Sequence, residues 1–148
     1  MSRPRSNSRL VAGGVLSALA ALLHLAVIGG GPDWYRFFGA GEEMARMAEQ
    51  GSIRPALITL AIATILAIWS AYAFAGAGLL RRLPLMRTAL IAITAVYLLR
   101  ALTLVPLAAL RPDLLTPFAL WSSLIVLVYG LTYALGTWRA WPALSARS

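Results

Sequence analysis

The sequence predicts an all-α membrane protein, an antiparallel four-transmembrane-helix bundle with a short amphipathic helix on its outer face. Three observations predict it. Of 148 residues, 60% are hydrophobic and only 12% are charged, a balance that leaves a water-exposed surface too little charge. Four apolar stretches use most of the chain, each close to the ~20 residues that cross a hydrocarbon core about 30 Å thick. Eight arginines flank those stretches on one side without an acid, against four with five acids on the other. One domain, 1–148, accounts for the whole length.

Residues 1–9, MSRPRSNSR, form a polar tail ahead of the first span, Leu10–Gly30. That run exceeds the roughly 7–15 apolar residues of a signal peptide, and no A-x-A cleavage site follows it, so it reads as a retained helix. The second span starts at Pro55, a residue suited to a first helical turn, and runs to about Leu80, where Arg81 and Arg82 end it. The third, Thr88 to about Ala109, is interrupted by Arg100 and bent or ended near Pro106. The fourth runs from Pro117 to Trp138. The connectors RRLPLMR and RPDLLT are so short that spans two, three and four must form consecutive antiparallel hairpins.

Residues 31–54 form the only long connection. The run Gly29-Gly30-Gly31-Pro32 breaks the first span, and Trp34, Tyr35, Phe37 and Phe38 follow as an aromatic cluster suited to the membrane–water boundary. From Gly41 to Gln50, Met44, Met47 and Ala48 alternate with Glu42, Glu43, Arg46 and Glu49 in the pattern of a short surface helix, with Gly51 as its stop. No internal repeat is visible.

Charge then sets topology. All 13 basic residues are arginine. Arg3, Arg5, Arg9, Arg81, Arg82, Arg87, Arg139 and Arg147 lie in the tail, the second connector and the C-terminus, with no acid among them. The other loops hold Arg36, Arg46, Arg54 and Arg111 against Asp33, Glu42, Glu43, Glu49 and Asp113. Both ends of the chain are therefore expected in the cytoplasm of a bacterium, with the protein in its inner (plasma) membrane. The net charge of +8 is then a topology signal, and its partner is the anionic lipid headgroup of the cytoplasmic side rather than nucleic acid.

With no cysteine, thiol nucleophiles, disulfides and thiolate metal sites are excluded. A single histidine cannot make a usual transition-metal site, so no metal is expected. No phosphate-cradling loop, HExxH or serine elbow occurs, and no cofactor is expected.

Arg100 is the sharpest feature, because a charge well inside a span costs about 2.5–3.5 kcal/mol unless compensated. At about 1.5 Å per residue it stands roughly 18 Å above the cytoplasmic edge and His24 roughly 21 Å, both in the outer half. Tyr97 and Thr103 lie three residues either side of Arg100, on a face expected to point inward. His24 lies on a stripe with Gly13, Ser17, Ala20 and Ala21, and the second span offers Ala63, Ala67, Ala71 and Ala75, small residues that let helices approach closely.

These residues predict a polar pocket open to the outer face, built from His24, Tyr97, Arg100 and Ser122 or Ser123, with Asp33, Glu42 or Glu43 folding over it. The competing structural reading has Arg100 snorkelling to the headgroups or pinning a loop carboxylate, His24 as a hydrogen-bonded interface residue, and Glu42-Glu43 as a solvated face.

From HLAVIGGGPDWYRFFGAGEEMA to RRLPLMRTALIAITAVYLLRAL the chain resembles small uncharacterised bacterial inner-membrane proteins of four helices, a resemblance that covers nearly its whole length and implies no activity. It is similar in size to small multidrug exporters but lacks the carboxylate they carry in the first helix. Three functions stay open: a binding or interaction protein, for a small amphipathic or anionic ligand or beside a larger membrane partner; a membrane enzyme of lipids or quinones; and a small transporter acting as a homo-oligomer.

Overall fold

The computed structural model describes residues 7–145, so Arg3, Arg5 and Arg147 of the charge count lie outside the described residues. Those residues are all-helical, without a strand among them: α1 (Ser8–Gly30), α2 (Pro32–Phe37), α3 (Glu42–Glu49), α4 (Arg54–Gly76), α5 (Met86–Leu102), α6 (Leu104–Leu110) and α7 (Pro117–Ser145), with a 3-10 turn at Pro112–Leu114. Four stretches are long and apolar enough to cross a membrane: α1, α4, α5 continued by α6, and α7. Helices suit that solvent because every interior backbone N–H and C=O is bonded within its own segment.

Chain chemistry sets the ends. α4 stops at Gly76 rather than near Leu80 because Gly78 adopts φ +83°. There the Leu79 amide reaches back to Phe74 O (2.9 Å) and the Gly78 amide to Ala75 O (3.1 Å), closing a Schellman turn. Gly51 (φ +74°) ends α3 the same way, its successor Ser52 donating to Met47 O at 3.0 Å. The third span divides at Thr103, upstream of the expected Pro106. Pro106 has no N–H for Leu102 O, and its ring crowds that carbonyl. α7 runs past Trp138 and through Pro142 to Ser145. Its last turns are held by buried Ala140 and Leu144 and by Arg82 Nη2, which donates to Ala143 O at 2.7 Å. At about 1.5 Å per residue, α7 is about 43 Å long, more than a hydrocarbon core needs.

The chain resolves into two compact units, residues 1–16 with 69–148 and residues 17–68. In the first, α5 lies along α7, and glycines bring the backbones together. A Cβ on Gly130 would stand 2.6 Å from Leu98 Cδ2, and one on Gly136 2.8 Å from Leu10 Cγ. Asn7 Nδ2 donates to Gly136 O at 2.7 Å, and Ser70 Oγ to Gly14 O at 2.7 Å. Close approach of small residues, with hydroxyl and amide bonds across it, is how helices associate where no hydrophobic effect drives them.

In the second unit α2 packs on α3 around buried Val27, Tyr35 and Ala45, with Phe38, Met44 and Ala48 against them. The sequence reading had no helix at 32–37; its signal was Pro32 at the first helical position followed by Asp33. The buried face of α4 also differs from the expected alanine stripe. Thr59, Ala63, Leu66, Ser70, Ala73 and Ala75 are buried, so Ala63 and Ala75 of the stripe lie on that face, while Ala67 is exposed and Ala71 half-buried. Steps of four residues drift around a helix of 3.6 residues per turn, whereas alternating steps of three and four stay on one face.

Candidate functional site

The first unit holds Tyr97, Arg100, Ser122 and Ser123 of the expected pocket; the second holds His24, Asp33, Glu42 and Glu43.

The buried face of α5 is Met86, Leu90, Ile93, Tyr97 and Ala101. Tyr97 is the centre of an aromatic cluster: Trp69 meets it edge-on at 5.0 Å between ring centroids, Tyr129 edge-on at 5.4 Å, and Tyr133 tilted at 5.4 Å. Edge-to-face geometry sets the positive rim of one ring against the negative face of another. Tyr133, wholly buried, donates its hydroxyl to Trp69 O at 3.1 Å, and its ring fills the space a Cβ on Gly13 would claim. No local pattern in the sequence signals this convergence, because three helices supply the rings.

Arg100 departs from the expected inward face. It is exposed, as is Thr103, while Tyr97 and Ala101 are buried. Three residues advance about 300° around a helix, so a side chain three positions after Tyr97 leaves the buried direction by about 60°. Nη1 of Arg100 donates to Ser123 Oγ at 3.4 Å and to Thr103 Oγ1 at 3.5 Å, both long, and the Thr103 hydroxyl donates onward to Arg100 O at 2.6 Å. Ser123 is buried; Ser122, half-buried, donates to Ala119 O of its own helix at 3.3 Å. The only acid of this unit is Asp113, which accepts from Arg111 Nε at 3.0 Å and Nη2 at 2.7 Å. That contact draws the Asp113 carboxyl below its ordinary range and raises the arginine. The Arg100 guanidinium therefore stands inside an apolar span with neutral oxygens beside it and most of its five donors directed at no protein atom among the described residues. Chemically it is a fork for a carboxylate or phosphate.

In the second unit His24, half-buried, has Nδ1 2.8 Å from Ala20 O, one turn back in its own helix, where the Nδ1–H tautomer donates. Asp33 and Glu42 converge on Arg36. Its Nε and Nη2 donate to the two oxygens of Glu42 at 2.9 and 2.8 Å, Nη2 also reaches Glu49 Oε1 at 2.8 Å, and Nη1 lies 3.5 Å from Asp33 Oδ1. The hydrogen bond from Arg36 holds the Glu42 carboxyl below the usual range, and Arg36 is raised in turn. Glu43 pairs with Arg46. Among the described residues no group of three His, Cys, Asp or Glu side chains is arranged to hold a metal.

A further feature escaped the sequence reading. Between α5 and α7 runs an open groove of about 610 Å³. α5 lines it with Ile91, Thr94, Ala95 and Leu98. α7 supplies Ala134, Thr137, Trp138 and Trp141. The shared spacing of i, i+3, i+4, i+7 was its only signal, and the same spacing serves any packed helix face. Thr137 is 6% exposed, and its Oγ1 is buried with no hydrogen-bond partner among the described residues. Past the groove's end, Arg87 stacks its guanidinium 4.3 Å above the Trp141 ring. Comparison with protein-family models, curated proteins and solved structures finds no match for this chain.

Proposed function

We propose that this protein crosses the bacterial inner membrane four times with both ends of the chain in the cytoplasm and α3 on the outer face, alongside the small four-helix membrane proteins it resembles, and that it binds a small anionic amphiphile beside Arg100. One observation carries the ligand: a guanidinium inside an apolar span, exposed, with only long hydrogen bonds to Ser123 and Thr103. Charges at that depth are expensive and are kept where they meet a compensating charge. A carboxylate or phosphate on an apolar tail supplies that charge from the lipid side, and Ser123 and Thr103 offer it further hydroxyls. The orientation rests on eight arginines without an acid on one side of the spans.

The test is thermal unfolding of the detergent-purified protein with oleate, lysophosphatidic acid and the neutral monoolein. Both anions raise the wild-type midpoint and monoolein does not. Arg100→Leu, folded by circular dichroism, loses the shift, and Arg100→Lys keeps part of it. If anions and monoolein act alike, or Arg100→Leu retains the full shift, Arg100 only snorkels and the proposal fails.

A further inference from the structure

We infer that the α5–α7 groove is a binding site for one anionic phospholipid, separate from the Arg100 site, with the lipid phosphate at Arg87 and an acyl chain lying along the groove. Three independent features meet there.

The first is shape and polarity. The groove is open and lined almost wholly by apolar side chains, and Trp138 at its lip is 76% exposed. Apart from the threonines Thr94 and Thr137 its walls give an acyl chain continuous dispersion contact. Thr94 is already satisfied, donating to Leu90 O at 2.7 Å.

The second is Thr137. A helical threonine ordinarily donates to the carbonyl four residues back, as Thr64, Thr94 and Thr132 do here at 2.9, 2.7 and 2.6 Å. Thr137 does not, although it is 94% buried by its 6% exposure and lies on the groove wall. A buried hydroxyl without a partner costs free energy unless something else supplies one. Thr137 stands one helical turn from Trp141, about 6 Å along the axis. A diacyl phospholipid has ester carbonyls a few bonds below its phosphate, so with the phosphate at the level of Trp141 an ester oxygen lies level with Thr137, whose buried hydroxyl meets it once χ1 turns toward the groove.

The third is charge. Arg87 is pinned over Trp141 by a cation–π contact, which orients the planar fork while leaving its N–H edges available. Beside it α5 begins, and its N-cap Leu85 offers no side-chain cap to the first-turn amides. Free amides and the positive end of a helix dipole are phosphate chemistry. No acid occurs anywhere between Gln50 and Pro112 or after Asp113, so nothing in the sequence around this end competes with a headgroup.

Native mass spectrometry of the full chain in detergent with equimolar phosphatidylglycerol and phosphatidylcholine reads the site directly. The wild type retains one phosphatidylglycerol about fivefold over phosphatidylcholine, the factor one arginine at headgroup level supplies. Arg87→Gln brings that ratio to about one. Ala95→Trp, which fills the groove from an exposed position, removes the retained lipid altogether and decides the matter if Arg87→Gln fails to fold. Arg139→Gln, an exposed arginine outside the groove, leaves the ratio unchanged. Equal retention of both lipids by the wild type means bulk lipid only and overturns the site. So does persistence of the lipid in Ala95→Trp, or a dimer that Ala95→Trp dissociates, which would make the groove's occupant a second copy of this chain.

Discussion

Arg36 grips Glu42 with two parallel hydrogen bonds, Nε to Oε2 at 2.9 Å and Nη2 to Oε1 at 2.8 Å, and from the same Nη2 it reaches Glu49 at the far end of α3. One guanidinium on α2 thus holds both ends of the neighbouring helix, whose apolar side rests on Tyr35 and Val27. A surface ion pair alone adds little, but one cation engaged by several carboxylates fixes geometry as well.

The pH response of this clamp has a definite sign. Because Arg36 lowers the folded pKa of Glu42, its contribution is complete above the ordinary glutamate value of 4.5 and is lost as pH falls through the lower folded value. In a carbon-13 titration of the Glu42 carboxyl, the wild type titrates below the ordinary glutamate value and Arg36→Ala moves it upward, toward that value. Amide exchange in α3 rises in the same variant while total helicity is unchanged.

Gly130→Ala and Gly29→Ala separate close packing from helix propensity. The added methyl at Gly130 meets Leu98 Cδ2 at 2.6 Å and the Leu98 backbone nitrogen at 3.2 Å, whereas the one at Gly29 meets nothing within 4 Å. Gly130→Ala is expected to destabilise by about 1–3 kcal/mol. Gly29→Ala is expected to be neutral or to stabilise by up to about 1 kcal/mol. Thermal melts in detergent report both.

Leu85 is the only described non-glycine residue with positive φ, at +53°. An L-residue there crowds its Cβ against the next carbonyl at a cost of about 1–2 kcal/mol. Leu85→Gly relieves that crowding, and its melting temperature is expected to rise, by less than the full amount because glycine gains freedom in the unfolded chain.

Pro106→Ala restores an N–H able to donate to Leu102 O. The division at Thr103 should then close into one helix from Met86 to Leu110, read as new protection of the residue-106 amide in hydrogen exchange. If that amide stays unprotected, the break belongs to Thr103, whose hydroxyl bonds to Arg100 O.

Sequence by itself determined that the chain forms four helices long and apolar enough to cross a membrane. Apolar runs of some 20 residues, the third interrupted by Arg100, have one stable state in lipid, a helix, so α1, α4, α5 with α6, and α7 follow from composition and order alone. The amphipathic α3 was legible for the same reason, since polarity along a helix face is a local pattern. What only the tertiary structure decided is which way particular side chains turn and what they meet. Arg100 and Tyr97 sit three residues apart, and spacing places them on one face; a rotation of about 60° nevertheless sends one outward and the other into the Trp69–Tyr129–Tyr133 cluster. Asp33, Glu42 and Glu49 are separated in sequence and converge only because α2 folds back on α3. Thr137 is an ordinary apolar-helix threonine in the sequence, and its unpaired hydroxyl exists only once α5 is laid along α7. In a lipid solvent the hydrophobic pattern says that a segment is buried in something, while the contacts that distinguish protein from lipid are short-range packing, set by glycines and hydroxyls whose partners lie on other helices.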